Sequence, residues 1–163
     1  YQNMMGMSAT GYAIAFAINA IGMVSCTALS GKLAKRYSLE KIIALGLAVN
    51  VTAVAGIGLV TVSGADIRLM AICFFFIVAS LGFIFGNSTA VALSAVDRAA
   101  VGTASAMIGM SQFALGGIAT ATAGLSGENS TVALAIVSAV SAACALSAFL
   151  VALKAPVKVH RIG

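Results

Sequence analysis

Five long stretches of this chain contain no Asp, Glu, Lys, Arg or His. They cover residues 2–31, 42–65, 69–96, 99–127 and 129–153, and short charged clusters separate them. A helix needs about 20 apolar residues to cross a hydrocarbon core about 30 Å thick. Each stretch is long enough, and the five leave no room for a soluble domain. The pattern therefore predicts an all-α integral membrane protein with about five transmembrane helices, at about 8–30, 42–62, 69–95, 103–125 and 132–153. Helices are expected because an isolated segment in lipid must satisfy its own backbone hydrogen bonds. A membrane β-barrel would instead show alternating segments of about 10 residues. Residues 1–163 read as one transmembrane bundle, with no segment longer than a loop outside the membrane.

Composition agrees with this reading. Hydrophobic residues make up 61% of the chain and charged residues 8%, where a soluble domain carries about 25%. Lipid must then serve as solvent and first partner. The net charge of +5 sits in short loops and a tail, which argues for the positive-inside rule rather than for nucleic acid. Lys32, Lys35, Arg36 and Lys41 fall in the first loop, Arg98 in the third, and Lys154, Lys158 and Arg161 in the tail. The second loop holds Arg68 alone, and the fourth, around Glu128, has no basic residue. Eight against one places the first loop, third loop and tail in the cytoplasm and the N-terminus outside. An outside N-terminus normally follows earlier spans. The chain is therefore expected to be the C-terminal piece of a larger multi-pass protein of a cell membrane, a bacterial inner membrane in particular.

Little catalytic chemistry is available. Cys26, Cys73 and Cys144 all fall in predicted spans at spacings that fit no zinc or redox motif, and they read as small packing residues. His160 lies in the tail. Ser111 has no histidine or carboxylate within any span to activate it. No enzyme, metal site or cofactor is expected.

The polar residues inside the spans are the candidates for function. Asn19 shares a face of the first span with Tyr12 and Cys26, and Gly22 leaves space beside it. Asn50 and Thr52 lie in the second span. Asn87 follows Gly86 in the small, polar second half of the third span. In the fourth span Ser105, Gly109, Gln112 and Gly116 fall at i, i+4, i+7 and i+11, one helix face. Two readings stand side by side. Small residues such as Gly86, Ser105, Gly109 and Gly116 let helices approach closely in lipid. Alternatively Asn19, Asn87 and Gln112 face a water-filled substrate path.

The loop Gly31-Lys32-Leu33-Ala34-Lys35-Arg36-Tyr37-Ser38-Leu39-Glu40-Lys41 resembles the cytoplasmic signature loop of the major facilitator superfamily in its second-half form. Gly31, Leu33, Ala34, Arg36 and Lys41 fit it, while Lys35, Ser38 and Glu40 depart. The stretch Gly86-Asn87-Ser88-Thr89-Ala90-Val91-Ala92-Leu93, followed by Gly102-Thr103-Ala104-Ser105-Ala106, Gly109 and Gln112, resembles helices ten and eleven of the Bcr/CflA-type drug:H⁺ antiporters. Phe16-Ala17-Ile18-Asn19 looks like their eighth helix. Gly86 stands where that family commonly has proline. The resemblance implies helices eight to twelve of a twelve-helix, proton-coupled efflux transporter, with seven spans preceding this chain. It implies a small-molecule substrate, protons as coupling ion, and a titrating carboxylate outside this chain. The third span would then line the path, the first and fourth would meet the other bundle, and the second and fifth would face lipid. A sugar or metabolite exporter of the same superfamily, and a non-transporting membrane scaffold, remain as alternatives.

Overall fold

The computed structural model describes residues 8–64, 66, 68–125 and 131–154. Glu128, Lys158 and Arg161, which entered the charge argument above, and His160 lie outside them. Five helices run in order: α1 (Ala9–Leu33), α2 (Leu39–Ser63), α3 (Arg68–Ser94), α4 (Val101–Leu125) and α5 (Thr131–Lys154). A 3₁₀ turn, Arg98–Ala100, precedes α4, and no strand occurs among the described residues. The helices are 24 to 27 residues long, which at roughly 1.5 Å per residue is ample for a bilayer. All five are apolar enough to cross one. The protein is a multi-pass membrane protein by this measure.

The helix ends differ from the predicted spans for local reasons. Ser8 accepts a hydrogen bond from the Gly11 N–H at 3.1 Å, so α1 begins at Ala9. Its far end runs past the apolar stretch to include Lys32 and Leu33. An apolar run marks the hydrocarbon, but a helix extends until a turn replaces its hydrogen bonds. Here the Arg36 and Tyr37 N–H groups both return to the Leu33 carbonyl at 2.9 Å. Only residues 34–38 connect α1 to α2. At the other end of α2, Gly64 takes φ +64°, the left-handed conformation that closes a helix and that a side chain would strain. Asp66 then accepts from the Arg68 N–H at 2.9 Å and starts α3. The fourth span begins at Val101 rather than at 103 because Asp97 is extended and its carbonyl accepts from the Ala100 N–H at 2.8 Å.

The core lies between α2 and α3. Ile43, Gly46, Leu47, Ala53 and Ile57 form one buried stripe on α2, and Met70, Ala79, Ser80, Phe83 and Asn87 are buried along α3. The second helix has α3 on one side and α5 on the other; α1 packs on α3. The second span, expected from the resemblance to face lipid, has one exposed and one buried face. Leu45, Val51, Leu59 and Val62 are exposed, but the opposite face makes α2 the most buried helix. No described residue of α4 is buried, and it touches α3 and α5 only lightly.

Candidate functional site

Three helices meet around the middle and lower half of α3, and glycine sets each approach. A Cβ on Gly82 would stand 2.5 Å from the Met23 carbonyl oxygen and 2.8 Å from the Thr27 nitrogen. The backbones of α1 and α3 therefore cross directly over Gly82. A Cβ on Gly46 would stand 2.8 Å from Ile84 and 2.9 Å from Phe83, so α2 reaches α3 in the same way. One turn and more above, the Phe75 ring fills the space that Gly22 leaves on α1. Gly56 accommodates Cys73, and Cys26 borders Gly82, so both cysteines sit at crossings as packing residues.

Two polar pairs tie these crossings. Asn87, 8% exposed, donates from Nδ2 to Ser30 Oγ at 2.7 Å and to the Phe83 carbonyl at 2.6 Å. Asn50 donates from Nδ2 to Ser80 Oγ at 3.0 Å, and the Ser80 hydroxyl donates to the Ile77 carbonyl at 2.6 Å. Ser80 is 1% exposed. Asn50 and Ser80 lie close to the midpoints of their helices. Asn87 lies two turns from the end of α3, on the side of the α1–α2 turn.

The expected site residues separate into groups. Asn19 is half-buried near the middle of α1 and forms no hydrogen bond among the described residues. Gln112 sits at the midpoint of α4, exposed, and likewise forms none. Ser30, the partner of Asn87, lies eleven residues beyond Asn19, roughly 16 Å along the helix. Asn19, Asn87 and Gln112 therefore do not converge within this chain. Gly31 lies in open space in the last turn of α1, Arg36 is exposed in the turn that follows, and Lys41 is exposed in the first turn of α2.

The small residues expected to pack helices together stand clear of the crossings above. A Cβ added to Gly86, Gly109 or Gly116 would meet nothing within 4 Å, and Ser105 is exposed. None stands at a helix crossing among the described residues. The reason is geometric: two helices touch closely over one or two turns, and on α3 the crossing with α1 falls at Gly82, one turn before Gly86. Among the described residues no helix lies opposite this face of α4. Nor does Gly86 interrupt α3, which runs unbroken from Arg68 to Ser94.

Ser80 and Ser30 are absent from the sequence candidates, and Asn50 is named there only as a polar residue of the second span. A polar residue at the centre of an apolar run marks Asn50, and the small cluster Ala79-Ser80 beside Gly82 in a Phe-rich helix marks Ser80. Between α1 and α2, over the exposed side of Phe76, lies an open cleft of about 450 Å³ lined by Ile18, Ile21, Val49, Phe76, Ser80 and Phe83 among others. Phe76 is held edge-on by Phe75, with centroids 5.5 Å apart at 78°. Compared with known protein families, curated proteins and solved structures, the chain shows no match.

Proposed function

We propose that these helices are part of a secondary active transporter, the C-terminal portion of a proton-coupled exporter of drugs or other small molecules. The observation that carries this reading is the pair of mid-span amides, Asn19 and Gln112, whose side chains find no hydrogen-bond partner among the described residues. An amide left without a partner in hydrocarbon costs several kcal/mol, roughly 2–7. Both residues therefore need water, a substrate or a partner outside the described residues, and a transport path supplies all three. The resemblance of the 31–41 loop and of the 86–112 stretch to the major facilitator superfamily supports the same assignment. The apolar cleft over Phe76 favours an apolar, aromatic cargo over a sugar, whose hydroxyls would need more polar partners than Ser80 and its neighbours provide.

One observation favours the scaffold reading. Asn87 and Asn50 use their amides to hold helices together, which is what a non-transporting helix bundle would do with them. The discriminating measurement is water access. In a background lacking the three native cysteines, Gln112→Cys should react with a membrane-impermeant thiol reagent. Met110→Cys, on the opposite face of α4, should not. In parallel, in the full-length protein to which these helices belong on this reading, Gln112→Ala should leave expression unchanged and reduce drug efflux. An unreactive residue 112 in a full-length protein that supports no drug efflux would sink the transport reading and leave the scaffold.

A further inference from the structure

The charge of the described residues is concentrated at one end of the bundle. Successive helices alternate direction, so the α1–α2 turn, the 3₁₀ turn before α4 and the end of α5 share that end. It carries Lys32, Lys35, Arg36, Lys41, Arg98 and Lys154 against Glu40 and Asp97, while the other end has Asp66 and Arg68. The neighbouring Asp97 offsets Arg98. The excess thus falls on the α1–α2 turn, where four cations and one carboxylate lie within ten residues.

Three features of this turn go beyond what orientation in a membrane requires. All four cations are exposed, and none forms an ion pair among the described residues, Glu40 included. The turn is compact: the two hydrogen bonds from Arg36 and Tyr37 to the Leu33 carbonyl hold Lys35, Arg36 and Tyr37 in fixed relation. Half-buried Leu33 and Leu39 anchor its two ends. Tyr37 is 54% exposed, and an amphipathic ring beside cations at the end of an apolar helix belongs at headgroup level.

We propose that this turn is a binding site for anionic phospholipid, with Lys32, Lys35, Arg36 and Lys41 receiving the phosphate and Tyr37 lying among the headgroups. Basic residues next to a span each contribute about 1 kcal/mol toward an anionic leaflet. Four cations gathered on one compact turn, none in an ion pair among the described residues, convert that diffuse attraction into retention of individual lipids. A soluble acidic partner would not use Tyr37 or the apolar helix stems beneath it.

The test uses the full chain purified in neutral detergent. It is titrated with phosphatidylglycerol or with phosphatidylcholine of the same acyl chains, and bound lipids are counted by native mass spectrometry. Phosphatidylglycerol should bind more tightly, and added salt should weaken it, since exposed charges are screened. The double variant Lys35→Gln/Arg36→Gln should weaken it by roughly 30-fold, whereas Lys35→Arg/Arg36→Lys should retain it. Should the double variant fail to fold, Lys35→Gln alone should still show a measurable loss. Equal affinity for the two lipids in the unaltered chain would overturn the proposal. So would phosphatidylglycerol binding that loss of Lys35 and Arg36 leaves unchanged, or displacement of the lipid by millimolar inorganic phosphate.

Discussion

Single residues hold this bundle together through space left and space filled. Gly82 and Gly46 let backbones meet, and Asn87 and Asn50 bridge the meeting points. Gly82→Ala places a methyl against the α1 backbone, which cannot rotate away as a side chain could. It should destabilise by about 1–3 kcal/mol, read as a lowered thermal midpoint in detergent. Gly109→Ala, in open space, should stay within about 0.5 kcal/mol of the unaltered chain. Equal shifts for the two would show that α4 is as tightly packed as α3. For the polar bridge, a double-mutant cycle of Asn50→Ala and Ser80→Ala should give a coupling of about 0.5–1.5 kcal/mol, the range of hydrogen bonds between membrane helices. A coupling of zero would mean that the pair forms without stabilising the crossing.

At the scale of elements, the turns are set by their own residues. Ser8 and Asp66 open helices, and Gly64 closes one. Lys32 in the last turn of α1 and Glu40 in the first turn of α2 complement the helix dipoles at those ends. The signature-like loop thus divides into two helix ends and a five-residue connection. Its exposure makes orientation testable. Single cysteines at Ser38 and Ser63 suit the experiment, since a side chain at Gly64 would strain the closing turn. On intact cells an impermeant reagent should label residue 63 and spare residue 38, as the basic residues require; the reverse pattern would invert the topology. The unbroken run of α3 through Gly86 belongs to this scale also. Glycine keeps the backbone N–H that proline would remove. Gly86→Pro should therefore destabilise by about 3 kcal/mol unless a bend there is tolerated, which the same thermal assay would reveal.

The whole molecule is unevenly consolidated. Helices α2 and α3 form its core, α1 and α5 flank them, and α4 presents Phe113 at 86% exposure and Met110 at 72%. Alternating access needs two bundles moving about a shared site; on the transporter reading proposed above these five helices would form only part of one, and their apolar stretches hold no Asp, Glu, Lys, Arg or His. Liposomes containing the 163-residue chain alone, with an imposed pH gradient, should show no gradient-dependent movement of a fluorescent cationic drug. Movement that collapses with the gradient would show that five helices suffice.

The chain's hydropathy alone determined that there are five membrane-length helices, because a lipid solvent admits only long uncharged runs and expels charge to their ends. The positions of Lys32 and Glu40 were equally readable, as were the small residues from which crossings could be built. Which of those residues meet was decided only in three dimensions. Gly82 and Gly86 are one turn apart and read alike in sequence, yet one lies under the α1 backbone and the other in the open. Asn50 and Asn87 each find a serine on a neighbouring helix, at 30 and 57 residues' separation, while Asn19 and Gln112 find none among the described residues. An amide in lipid must be satisfied somewhere; the sequence states the need, and only the packing of helices names the partner.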